Sequence, residues 1–137
     1  MNGPNFVNKL LGGERDFSKI QLPKGYDLAG YEGFSDLQRY LKEQDLRRNP
    51  VIIGDSSLVR LQAPGLYLPY VQGRGADLGG ADLRGADLWG ADLRGVGDLK
   101  TTLNLCDAIF RNTIVTEAEK QKIEAILKER KLFDVRN

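Results

Sequence analysis

Residues 76–95 read Ala76-Asp77-Leu78-Gly79-Gly80, Ala81-Asp82-Leu83-Arg84-Gly85, Ala86-Asp87-Leu88-Trp89-Gly90 and Ala91-Asp92-Leu93-Arg94-Gly95. Alanine, aspartate, leucine and a closing glycine each return every five residues. A period of five fits neither the 3.6-residue repeat of a helix nor the two-residue repeat of a strand. A glycine in the interior of either element costs about 0.5–1 kcal/mol, so glycines recurring at one phase mark corners. The consistent reading is a coil with four sides, one pentad per side and about twenty residues per turn, stacked at the ~4.8 Å spacing of hydrogen-bonded strands. Leucine and the alanine two residues before it point inward, while aspartate and the residue after leucine point out. Each buried leucine contributes about 1.5–3 kcal/mol, so Leu78, Leu83, Leu88 and Leu93, one per side, belong to a ladder of leucines down the axis that holds the turns together.

The four pentads resemble the A(D/N)LXX motif of the pentapeptide-repeat family, nearly letter for letter over residues 76–95 and more loosely elsewhere. The resemblance implies an all-β solenoid, specifically a right-handed quadrilateral β-helix. Downstream the phase slips by two at residues 96–103. Stacking then sets Phe110 over Leu88 and Val115 over Leu93, with Leu105 also in the core. Upstream the motif decays but the phase survives. Leu61, Leu66, Val71 and Ala76 take the small inward position, and Leu58, Ala63, Leu68 and Gly73 the central one, so residues 51–75 read as one irregular coil. Arg15-Asp16-Phe17, Ile20-Gln21-Leu22 and Tyr26-Asp27-Leu28 form a degenerate coil near the start.

Two helical signals interrupt and close the repeat. Ser35-Asp36-Leu37-Gln38 has the form of a capping box, Leu37, Tyr40 and Leu41 follow as an apolar stripe, and Asn49-Pro50 stops it. This predicts a short inserted helix at about 35–48. Thr116-Glu117-Ala118-Glu119 is a second capping box, opening a helix on Ile123, Ile126 and Leu127. Solenoid ends expose apolar cross-sections and unpaired edges, and this helix is expected to cover one of them. Phe6, Val7, Leu10 and Leu11 are expected to cover the other. The chain is thus read as a single domain, with an N-terminal cap at 1–14, the β-helix at 15–115 around the inserted helix, and a C-terminal capping helix at 116–137.

Composition narrows the function. Lys and Arg number 20 against 19 Asp and Glu, a net charge of +1, and there is no histidine. The absence of histidine removes the commonest general base and metal ligand, and the near-neutral balance argues against nucleic-acid binding. The single cysteine, Cys106, has no histidine to activate it and cannot form an intrachain disulfide. The aspartates at 77, 82, 87 and 92 lie on successive sides that diverge, whereas calcium needs six to eight converging oxygens. Gly73-Arg74-Gly75 and Gly95-Val96-Gly97 lack the spacing of phosphate loops. No catalytic residue, metal or cofactor is therefore expected, and no enzyme. No secretory signal or membrane span is read, so a cytoplasmic protein is expected.

The distinctive outward feature is aromatic. Trp89 stands where other pentads carry Gly79, Arg84 and Arg94, and Tyr67, Pro69 and Tyr70 lie one turn earlier on the same side, with Ile109 and Arg111 one turn later. Tyr67, Tyr70, Trp89, Ile109 and Arg111 make the candidate partner surface, in the aromatic-plus-arginine composition of interface hot spots. It points to an interaction or scaffold module that binds a protein partner or a second copy of itself. The family resemblance implies an alternative, a DNA mimic that binds DNA gyrase or another type II topoisomerase. Such mimicry calls for an acidic rod, whereas residues 66–115 hold six Asp and five Lys or Arg.

Overall fold

The computed structural model describes residues 1–96, 113–118, 120, 121, 135 and 136. Two helices, α1 (Gly3–Leu11) and α2 (Phe34–Glu43), precede the repeats, and two short strands, β1 (Thr113–Ile114) and β2 (Val135–Arg136), follow them. Between these, the chain winds in stacked turns. Parallel bridges join Ile52 to Gln72, Ser57 to Asp77, Gln62 to Asp82, Tyr67 to Asp87 and Gln72 to Asp92. The bridges recur every five residues and join positions twenty apart, giving four bridge positions per turn. Residues 51–70 therefore form a turn in regular phase with 71–90, more regular than the irregular coil the sequence suggested.

Each side supplies a single bridging residue, because most of its five residues serve the corner. Regular strand among the described residues is accordingly confined to β1 and β2, less than an all-β solenoid leads one to expect. At the corners the N–H of one inward residue returns to the carbonyl of the central residue before it, as in Ala81 to Leu78 (3.0 Å) and Ala86 to Leu83 (3.0 Å). The residue before each inward position takes a left-handed backbone. Gly80, Gly85, Gly90 and Gly95 do so at φ 67 to 70, and Asp55, Arg60 and Tyr70 at φ 56 to 63. The glycines mark the corners, and less permissive residues take the same conformation where the motif has decayed.

Leu68, Leu78, Leu83, Leu88, Leu93 and Val115 are buried, as are Ala76, Ala81, Ala86 and Ala91. The bridge from Asp92 to Ile114 spans twenty-two residues, two more than the bridges between Ile52 and Asp92. That is the two-residue slip, and it brings Val115 into register with Leu93. Leu105 and Phe110 lie outside the described residues. Beyond β1, β2 adds a further parallel partner, pairing Thr113 with Val135 and Ile114 with Arg136. The tail at 116–137 is thus not helical throughout. At its end, β-branched Val135 lies on the open edge of β1, where it supplies backbone partners that a helix could not.

The first turn is degenerate but present. Asp16, Gln21 and Asp27 bridge Ile52, Ser57 and Gln62. In place of a fourth bridging residue there stands a side chain on α2. Gln38 donates from Nε2 to the Gly65 carbonyl (2.7 Å) and accepts from the Tyr67 N–H (2.8 Å). The Ser35–Gln38 capping box does not form. α2 begins at Phe34 with Gly33 as N-cap and no side-chain cap, which leaves Gln38 free to complete the ladder. The helix also ends at Glu43 rather than near 48, because Asp45 opens its own turn by accepting from Asn49 N–H (3.0 Å) and, on its carboxylate, from Arg48 N–H (3.2 Å).

α1 lies under the first turn. Asn2 caps it by accepting from Asn5 N–H (2.8 Å), and Phe6, Val7 and Leu10 are buried, with Phe6 edge-on to Phe17 at 4.8 Å. Leu11, expected on the same apolar face, is 37% exposed. Arg15 ties the C-terminal ends of both helices together. It donates to the Leu10 (3.4 Å) and Glu14 (3.2 Å) carbonyls, the Tyr40 hydroxyl (3.0 Å) and Gln44 Oε1 (3.1 Å). A helix C-terminus carries partial negative charge, which suits a buried guanidinium.

Candidate interaction surface

The outward aspartates have a local task that their spacing did not reveal. Asp77, Asp82, Asp87 and Asp92 each accept, on Oδ1, the N–H two residues ahead, at 3.0 to 3.2 Å. This side-chain turn satisfies a corner amide that the ladder leaves over. Asp82 and Asp92 are moreover buried, not outward and bare. Arg84 lies along Asp82 with Nε at 3.0 Å and Nη2 at 2.8 Å, and Arg94 grips Asp92 at 3.0 and 2.7 Å in the same manner. Arg74 reaches Asp92 from the turn below at 3.3 Å. These arginine hydrogen bonds hold both carboxyls below the usual carboxylate range, against a smaller opposing effect of burial. Among the described residues no cluster of acidic groups or cysteine is placed to hold a metal.

The aromatic side has a definite geometry. Tyr70 and Trp89 meet edge to face, with ring centroids 5.3 Å apart and planes at 73°. Both are half-buried. The Tyr70 ring lies over Gly90, where an added Cβ would stand 2.7 Å from two of its carbons. Tyr67 is set apart from this pair. It packs partly against the core, and Lys42 of α2 stands over its ring at 5.9 Å. Pro69, grouped by spacing with the outer aromatics, is buried. Ile109 and Arg111 lie outside the described residues. Of the five residues in the candidate surface, the structure joins Tyr70 to Trp89 and puts Tyr67 beneath the edge of α2.

Sequence reasoning missed Gln38 and Lys42. A glutamine in a capping-box pattern reads as a cap, and a lysine on a helix reads as a solvated charge. Only the docking of α2 on the Tyr67 side gives either another partner.

The geometry defines a class of protein, a solenoid of stacked turns with corners every five residues. A family model of pentapeptide repeats, eight copies, matches residues 74–96. Residues 74–96 of this chain are thus pentapeptide repeats. Comparison with curated proteins finds no match. No helix among the described residues is long and apolar enough to cross a membrane.

Proposed function

We propose that the chain is a non-catalytic interaction or scaffold module, folded as a right-handed quadrilateral β-helix, that presents the Tyr70–Trp89 corner to a protein partner or to another copy of itself in the cytoplasm. The observation that carries this reading is the conformation of Tyr70. A bulky residue with positive φ is uncommon and costly, yet Tyr70 holds φ 63 at a corner where the repeat otherwise favours glycine. That conformation sets its ring against Trp89. Half-buried tyrosine and tryptophan held rigid in this way lose little freedom on binding, and such residues dominate interface energetics.

The DNA-mimic alternative needs a column of uncompensated carboxylates. Asp82 and Asp92 are each paired with arginine, so this reading has less support.

The test is affinity capture from native lysate with wild type beside Trp89→Ala and Tyr70→Gly, read by quantitative mass spectrometry, with self-association followed by sedimentation. The reading expects one partner, or the self-association, to be lost from both variants. Identical profiles for all three proteins would refute it. A supercoiling assay with gyrase addresses the alternative directly.

A further inference from the structure

The axis of the stack holds a cavity of about 50 Å³ whose wall, among the described residues, is leucine, valine, isoleucine and phenylalanine. Its origin is legible in two adjacent turns. Leu61 and Leu66 project inward from 51–70 at positions where the turn above has Ala81 and Ala86, and Ile53 stands below Gly73. The two turns bridge residue on residue, so they enclose the same cross-section, and the upper one has less side chain to fill it. Leu93 and Ile53 lean toward the gap at Gly73, lying 3.1 and 3.8 Å from the place of an added Cβ. The cavity runs along the axis from Phe6 and Leu10 of α1 to Leu93, and Leu61, Leu66, Leu78, Leu83 and Leu88 are among the residues that line it.

A buried water needs about two to four polar partners. Among the described residues the wall has no polar side chain, and the carbonyls of Leu78, Leu83 and Leu88 accept the corner N–H groups of Ala81, Ala86 and Ala91 while those of Leu61 and Leu66 accept from Asp82 and Asp87. Such a space stays dry, and the carbons facing it lack the dispersion contacts of a packed interior. We infer that this axial cavity is a binding site for small apolar molecules of about xenon size, the noble gas itself or a short hydrocarbon of about one to three carbons. The site is independent of the aromatic corner and of the interaction reading.

The test uses the full-length chain with 13C-labelled leucine methyls, followed by NMR under increasing xenon pressure. The expected result is a saturable shift of the methyls of Leu61, Leu66, Leu78, Leu83 and Leu88, with the exposed Leu11 methyls moving only linearly. Ala86→Leu, which repeats Leu66 from the turn below, adds three carbons to a buried position between the lining residues Leu83 and Leu88 and is expected to abolish the saturable shift. Ala81→Leu, which repeats Leu61, serves as a second filled variant should the first fail to fold. Linear shifts at every methyl of the wild type would overturn the proposal. So would a saturable axial shift that survives in a filled variant with the wild-type circular dichroism spectrum.

Discussion

The ring of Tyr70 occupies the space that a side chain at Gly90 would need, with two ring carbons 2.7 Å from the position of an added Cβ. Gly85 makes the natural control, since it has the same φ of 70 and nothing within 4 Å of that position. Gly85→Ala is expected to cost about 1–2 kcal/mol, the penalty for a left-handed alanine. Gly90→Ala carries that penalty and must also displace the ring, so about 1–3 kcal/mol more is expected. Urea denaturation of both variants measures the difference. In a Tyr70→Gly background the excess should vanish, and an excess that persists would mean that the ring is not its cause.

Gln38 is a side chain acting as backbone. Gln38→Ala removes the partners of the Tyr67 N–H and the Gly65 carbonyl at once. The first is partly buried and the second can turn to water, so a loss of about 1–2 kcal/mol is expected. Gln38→Glu keeps the acceptor for Tyr67 and loses the donor to Gly65, so it should cost less. Amide hydrogen exchange gives the sharper reading. Protection at Tyr67 should fall in the alanine variant and largely survive in the glutamate one.

The leucine phase was legible because each central leucine is buried for the same reason in every turn, and a period of five has no competing explanation. The register of Val115 against Leu93 followed from counting the slip. Residues whose role comes from a distant segment were not legible. Ser35 and Gln38 match a capping box, and nothing local says that the helix starts one residue earlier and turns Gln38 toward Gly65. Tyr70 gives no sign in the sequence of its left-handed backbone, because tyrosine at that phase looks like decay of the motif. Pro69 and Trp89 share a phase, yet one is buried and the other half-exposed, since alternation predicts direction and not what lies on top.

Acid should weaken the stack through Asp82 and Asp92. Both carboxyls are held below their usual range, first by the arginine hydrogen bonds. A carboxylate with a depressed folded pKa binds its proton less readily than in the unfolded chain, where the value is about 3.9. Its contribution is therefore complete above about pH 5 and is lost as the pH falls through 3.9 or so toward the folded values. The arginine partners are 40% and 59% exposed at the side chain, so each pair is worth at most about 1 kcal/mol. In Asp82→Asn/Asp92→Asn the amide oxygens can still accept the corner N–H groups while the ion pairs are gone. Thermal midpoints across the acid range should fall less steeply for this double variant than for wild type. Equal slopes would place the acid sensitivity elsewhere.

Leu88→Ala tests the inside of the stack. Leu88 is 4% exposed and borders the axial cavity, so truncation enlarges a space that is already there instead of opening one that neighbours can close. The cost of a leucine-to-alanine change rises with the residual cavity, within a range of about 2–5 kcal/mol. The upper half of that range is expected here, because the turn is pinned on both sides. Below it, the Leu68 N–H donates to the Asp87 carbonyl and the Tyr70 N–H to the Trp89 carbonyl. Above it, the Leu88 carbonyl accepts from the Thr113 hydroxyl. Collapse would have to break these bonds. A loss below about 1 kcal/mol would show that the turns slide to close the gap, and the rigid ladder on which the aromatic corner depends would have to be abandoned.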